Sequence, residues 1–304
     1  MLRRTLLKGV GILPALRVLG IGTALAESKE VKEFRERMAR ARAEALARFP
    51  FERVEVRGDQ AFEDWERLKA AGRGVPVIIG GDESLETLAE RFDAAQWIGE
   101  AEPMVNEVLA RASQLRHPDS LLAHRSDEVA KLEKMKAEDS ESGRRIRDFE
   151  ARLKEIGMWR DPNAGPPVGE WPVEPPEFLG LTVNWDWQTG RTFERVYILL
   201  VPTDDWTEIP AHLRWGNWNA NPPPEIHVAA LRSWRDRYGA ELVGLSNDVM
   251  NIRVARKPQT REEALSLARE QYEYCNDIVD QGVGSLSNLA AALMAHDWWY
   301  FWWD

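Results

Sequence analysis

The chain has 304 residues, a formal net charge of -10, 44% hydrophobic and 30% charged residues, one cysteine and 14 tryptophans. That length and apolar share suit one large folded unit or two modest ones and exclude a disordered chain. The acidic balance argues against nucleic-acid binding, which needs basic stripes, and one cysteine excludes a disulfide framework or a cysteine-based zinc site within the chain.

Residues 1–26 read as an export signal. Arg3-Arg4-Thr5-Leu6-Leu7-Lys8 is similar to the twin-arginine signal, although Leu2 stands where Ser or Thr is usual. A mildly apolar stretch from Val10 to Leu25 follows and ends in Ala24-Leu25-Ala26, a small-x-small cleavage pattern. Arg17 interrupts the stretch, which falls short of the roughly 20 residues a membrane span needs. The alternative is an anchoring or amphipathic N-terminal helix. With cleavage near Ala26, the expected location is periplasmic or secreted, without stable membrane insertion; the alternative is cytoplasmic.

Next comes a charged helical lead, residues 27–48. Residues 49–160 hold a βαβα segment and a charged arm. A strand is expected over Phe51–Val56 and a helix over Ala61–Ala71, with Phe62, Trp65 and Leu68 on one face. Val75–Gly80 reads as a buried strand, and Asp82 as the cap of a helix bearing Leu85, Leu88, Ala89 and Phe92. From Pro103 to Ile156 the chain is helical and highly charged. Thin stripes of Val129, Leu132 and Met135, then Ile146, Phe149, Leu153 and Ile156, flank a turn at Glu138–Gly143. A solvated two-helix arm explains this; a partner-binding coiled coil has too few heptads.

Residues 161–180 form a proline-rich linker or wrapping segment, with Pro162, Pro166, Pro167, Pro172, Pro175 and Pro176. Residues 181–304 form an α+β unit. Leu181–Trp187 and Phe193–Val201 read as two strands of a hairpin about Gln188-Thr189-Gly190-Arg191. A helix follows over Pro223–Tyr238, then strands over Ala240–Leu245 and Val249–Ala255. A Thr260-x-x-Glu263 capping box opens the next helix, and a last helix over Ser285–Ala295 precedes an aromatic strand from Trp298 to Trp303. The expected fold class is α+β: a mixed or antiparallel sheet with packed helices, plus the βαβα segment and the arm.

The stretch from Pro202 to Pro224 is densest in chemistry. Asp204, Asp205, Trp206, Glu208, Trp215, Asn217, Trp218 and Asn219 combine acids, amides and indoles, as a glycan or peptide site would. The competing explanation folds the indoles back over the sheet and uses the Asn side chains in turns. His227 sits on an apolar helix stripe, where a satisfied core histidine competes with a general base. No zinc-hydrolase, nucleophile-elbow or phosphate-loop motif is present, so no cofactor and no metal are expected. Cys275 falls on a buried helix face.

The strings Trp215-Gly216-Asn217-Trp218-Asn219, Tyr238-Gly239-Ala240-Glu241, Glu270-Gln271-Tyr272, Asp277-Ile278-Val279 and Phe301-Trp302-Trp303-Asp304 resemble a bacterial family of domains of unknown function numbered 4253. The resemblance covers Phe193–Asp304 and implies neither an activity nor catalytic residues. The residues themselves favour a non-enzymatic binding or interaction module with an unidentified small ligand, glycan or protein partner, and no nucleic acid. The alternatives are a hydrolase of cell-wall or carbohydrate material, with Asp204, Asp205 or Glu208 as acid and base, and an immunity-like partner-binding protein.

Overall fold

The computed structural model describes residues 37, 40, 43–44, 46–92, 104–157, 165–178 and 180–304. The export signal, most of the helical lead, Trp97, Trp159 and Pro162 lie outside the described residues. The fold is α+β, built on one six-stranded mixed sheet.

The first half supplies β1 (Glu52–Val56), α1 (Ala61–Ala71), β2 (Val75–Gly80) and α2 (Asp82–Glu90), then the helices α3 (Val105–Ala112), α4 (Asp119–Ala137) and α5 (Glu141–Glu155). A two-residue ladder, β3 (Trp185–Asp186) and β4 (Arg191–Thr192), forms a separate hairpin. Next come β5 (Val196–Val201), the short α6 (Ile209–His212), α7 (Pro224–Tyr238), β6 (Ala240–Leu245), β7 (Val249–Val254), α8 (Arg261–Tyr274), α9 (Leu286–Ala295) and β8 (Trp298–Trp302). The strand order is β1-β5-β2-β6-β7-β8. All neighbours are antiparallel except β2 and β6.

The N-terminal strands therefore join the C-terminal sheet. β5 lies between them, with Glu52 opposite Leu200 on one side and Val75 opposite Val201 on the other. All six residues of β5 are buried, as a central strand covered on both faces requires. This differs from the expected hairpin, in which β5 would pair with the stretch before it. The glycine turn is real, but it closes only β3 and β4. Residues 181–183 instead lie over the sheet: Asn251 Oδ1 accepts from the amides of Thr182 and Val183 (2.8 and 3.0 Å), and a Cβ on Gly244 would meet Val183 Cγ2 at 2.6 Å.

On one face of the sheet, Val77, Ile79, Leu199, Leu242, Ile252 and Phe301 pack under α2, α7, α8 and α9. On the other, Ile78, Val196, Ile198 and Val243 pack under Ala61 and Trp65 of α1. Burying one such side chain contributes roughly 1.5–3 kcal/mol. Pro76, which lacks an N–H, sits near the start of β2, and its carbonyl accepts from Trp65 Nε1 at 2.8 Å. Asp82 does not cap α2, because Gly81 holds that position. Its carboxylate instead accepts from Arg195 and Tyr197, and Arg195 holds it below the usual carboxylate range.

The proline-rich stretch wraps rather than links. The amides of Leu286 and Ser287 donate to the carbonyls of Pro167 and Val168 at 2.8 and 2.9 Å, so the wrap satisfies open N–H groups at the start of α9. Arg261 lies over the Trp171 ring, and His296 Nε2 donates to Pro176 O at 2.9 Å. The arm docks by its base: Leu121 is buried and Arg125 donates to the carbonyls of Glu273 and Tyr274 at 2.9 and 3.1 Å. Farther out, Val129, Leu132 and Met135 are exposed.

Candidate functional site

The 202–223 segment connects β5 to α7 across the end of the sheet. Its acids bond to the chain itself. Asp205 accepts from the Thr207 amide and hydroxyl at 3.0 and 2.7 Å, which fixes a 3-10 turn over Trp206–Glu208. Arg235 of α7 donates to both Asp205 oxygens at 3.1 Å. Burial works against ionisation of Asp205, but the Thr207 bonds and the Arg235 charge outweigh it and hold the carboxyl below its ordinary value. Glu208 accepts from Thr203 Oγ1 at 2.9 Å and from Arg232 at 3.0 Å. Two acids one helical turn apart thus clamp the loop to two arginines one helical turn apart. Asp204 is exposed.

The indoles turn inward. Trp215 is fully buried and donates from Nε1 to Ser246 O at 2.7 Å, while Trp206 and Trp218 are half-buried against the main core. Asn217 and Asn219 hold positive φ of 63° and 49°, a region asparagine tolerates better than most residues. Asn219 Nδ2 donates to Asp304 O at 2.9 Å, tying the loop to the segment that follows the aromatic strand β8.

Behind this loop lies a buried polar row. His227 is fully buried between Tyr274 and Asn221: Nδ1 meets the Tyr274 hydroxyl at 2.5 Å, and Nε2 meets Asn221 Oδ1 at 2.6 Å. Because an amide oxygen only accepts, Nε2 carries the proton and Nδ1 accepts from the phenol. Burial pushes the His227 pKa down to about 3 and the Tyr274 pKa well above its ordinary value. Both groups are neutral at physiological pH. The rings of Trp215 and Trp303 pack on His227 at 4.7 and 5.8 Å between centroids. This arrangement orients core elements and has no solvent-facing atom with which to exchange a proton.

A second buried constellation was not singled out by sequence reasoning. The Glu270 carboxylate accepts from His117 Nε2 at 2.9 Å, Trp234 Nε1 at 2.5 Å and Arg237 in bidentate fashion at 2.9 Å. Burial disfavours its charge, but the His117 bond, Arg237 and Trp234 hold its pKa below the ordinary value. Trp234 and Arg237 stand one turn apart on α7 and so reach the same carboxylate. Cys275 donates to Trp302 O at 3.0 Å, and burial pushes its thiol pKa up, so it is no nucleophile at neutral pH. Among the described residues no group of three His, Cys, Asp or Glu could hold a metal ion, and no helix is long and apolar enough to cross a membrane.

The structure thus packs Trp215 against His227, while Asp205 and Glu208 are bound farther along α7 by Arg235 and Arg232 and Asn219 is bound to Asp304. No curated protein and no solved structure matches the chain. The part from β5 onward does match a described family: residues 197–304 are similar to the domain of unknown function DUF4253.

Proposed function

We propose that the protein is an exported, non-enzymatic binding module. The observation that carries this reading is the state of the candidate acid–base groups. Asp205 and Glu208 are ion-paired to Arg235 and Arg232, and His227 is neutral and buried. A glycosidase needs one carboxyl with a raised pKa beside an open cleft; the Asp205 pKa is instead lowered. Export rests on Arg3-Arg4 and the Ala24-Leu25-Ala26 cleavage pattern.

Two measurements test the reading. Incubation with soluble cell-wall and polysaccharide substrates is expected to release no product. Turnover that disappears in Asp205→Asn or Glu208→Gln would restore the hydrolase. Fractionation of expressing cells is expected to yield a periplasmic chain beginning near Glu27, and an intact N-terminus in the cytosol would remove the export part.

A further inference from the structure

The surface that the binding reading leaves open lies away from the 202–223 loop, at the β3–β4 hairpin. We infer that this hairpin is a saccharide-binding platform in which Trp187 and Trp185 stack on pyranose rings. The inference rests on the binding reading and adds a site and a ligand class to it.

The two indoles stand out by exposure. Trp187 is 76% and Trp185 38% exposed, whereas Trp215, Trp234, Trp299 and Trp303 are buried. An exposed indole keeps a large flat apolar area in water unless something covers it.

The hairpin that carries them is pinned at both ends. At its base, Asn184 Nδ2 donates to Gly58 O at 2.8 Å and the Phe193 amide donates to Asn184 O at 2.9 Å. At its tip, Asp186 accepts from the Gln188 amide at 2.9 Å and from Thr189 Oγ1 at 3.0 Å, and Gly190 turns the chain with a φ of 67°. The backbone that carries the indoles is therefore fixed before any ligand arrives, which lowers the ordering cost of binding.

The neighbourhood selects the ligand class. From Asn184 to Glu194 the remaining exposed side chains are all polar. A protein partner would need a contiguous apolar centre there. A pyranose ring needs less: a flat surface for its C–H face and polar groups for its hydroxyls. Thr192 stands opposite Trp185 across the ladder. A neighbouring open cleft, which the two indoles do not line, is bounded by Asp186, Thr189, Arg191, Thr192, Phe193 and Glu194.

The test uses the full mature chain with chito-oligosaccharides, cello-oligosaccharides and soluble peptidoglycan fragments. Binding is read by tryptophan fluorescence and calorimetry, and reducing ends are assayed in the same samples. At least one probe is expected to bind saturably. Trp187→Ala and Trp185→Ala should each weaken that binding tenfold or more, Trp187→Tyr should retain part of it, and thermal midpoints should stay unchanged for the Trp187 variants. Saccharide binding that both alanine variants keep would overturn the site and leave the binding reading standing. No binding of any of the three probes would overturn the ligand class, as would a peptide ligand whose binding depends on Trp187. Release of reducing ends would instead defeat the broader binding reading.

Discussion

Replacing His227 with glutamine should flatten the pH dependence of stability between pH 7 and pH 5. The native imidazole is buried among Tyr274, Asn221, Trp215 and Trp303, and its pKa falls from the ordinary 6.5 to about 3. In the unfolded chain the same group takes up a proton once the pH drops below 6.5. The native state stays unprotonated until about pH 3, so protons favour unfolding throughout that window. Each pH unit inside it removes about 1.4 kcal/mol of stability. From pH 7 to pH 5 this amounts to about 2 kcal/mol from His227 alone. The assay is urea unfolding of both proteins at pH 7, 6 and 5. Comparing the two slopes cancels the carboxylates they share, so any loss that the substitution causes at pH 7 does not matter. Parallel slopes would refute the reasoning, as would a native-state NMR titration of His227 with a midpoint near 6.5.

Three further outcomes follow from the packing. Glu270→Gln should destabilise by about 3 kcal/mol, because it removes a buried charge that Arg237 and His117 face; urea unfolding at pH 7 measures this, and a change below about 1 kcal/mol would contradict it. Gly216→Ala should destabilise by more than about 3 kcal/mol or abolish soluble expression: φ is +120° there, and a Cβ would stand 2.2 Å from Pro222 O and 2.9 Å from His227 Nε2. Gly190→Ala is the control, with a φ of +67° and nothing within 4 Å, and should lose only about 1 kcal/mol in thermal or urea melts. Residues 181–304 produced alone should lack dispersed NMR resonances and near-ultraviolet dichroism, because β2 is missing from between β5 and β6. A folded fragment would show that the sheet closes without β1 and β2.

Local pattern made most elements legible. The helix over Ala61–Ala71 and the strand over Val75–Gly80 are found with the expected bounds, because their apolar spacing and flanking glycines are local signals. The Thr260 capping box is also present. Pairing was not legible. A glycine turn after Trp187 suggested that β5 turns back on the preceding strand, yet the chain places β5 between strands made far earlier. A run such as Val196–Val201, apolar on both faces, demands two neighbours but does not name them. The same limit governs the 202–223 loop and His227. Asp205, Glu208, Trp215 and His227 stood out by residue type, whereas their partners Arg232, Arg235, Ser246 and Tyr274 lie on other elements. Asn221, only six residues before His227, was the one local clue to that network. Trp185 and Trp187 read as ordinary strand residues, because exposure depends on what the rest of the chain leaves uncovered.

The position of β5 also sets a timetable for synthesis. Glu52 and Val75 find their partners only at Leu200 and Val201. When β1 and β2 leave the ribosome, neither has a strand to pair with, and the helices of the arm are made before one appears. The nascent chain must carry Val77-Ile78-Ile79 unpaired through that interval. Such a stretch invites pairing with another chain. Pro76, which pairs opposite Leu200 in the finished sheet, interrupts the run of donors that a foreign strand would use. A residue that in the native fold pairs opposite Leu200 and accepts from Trp65 thus also guards the chain before that fold exists.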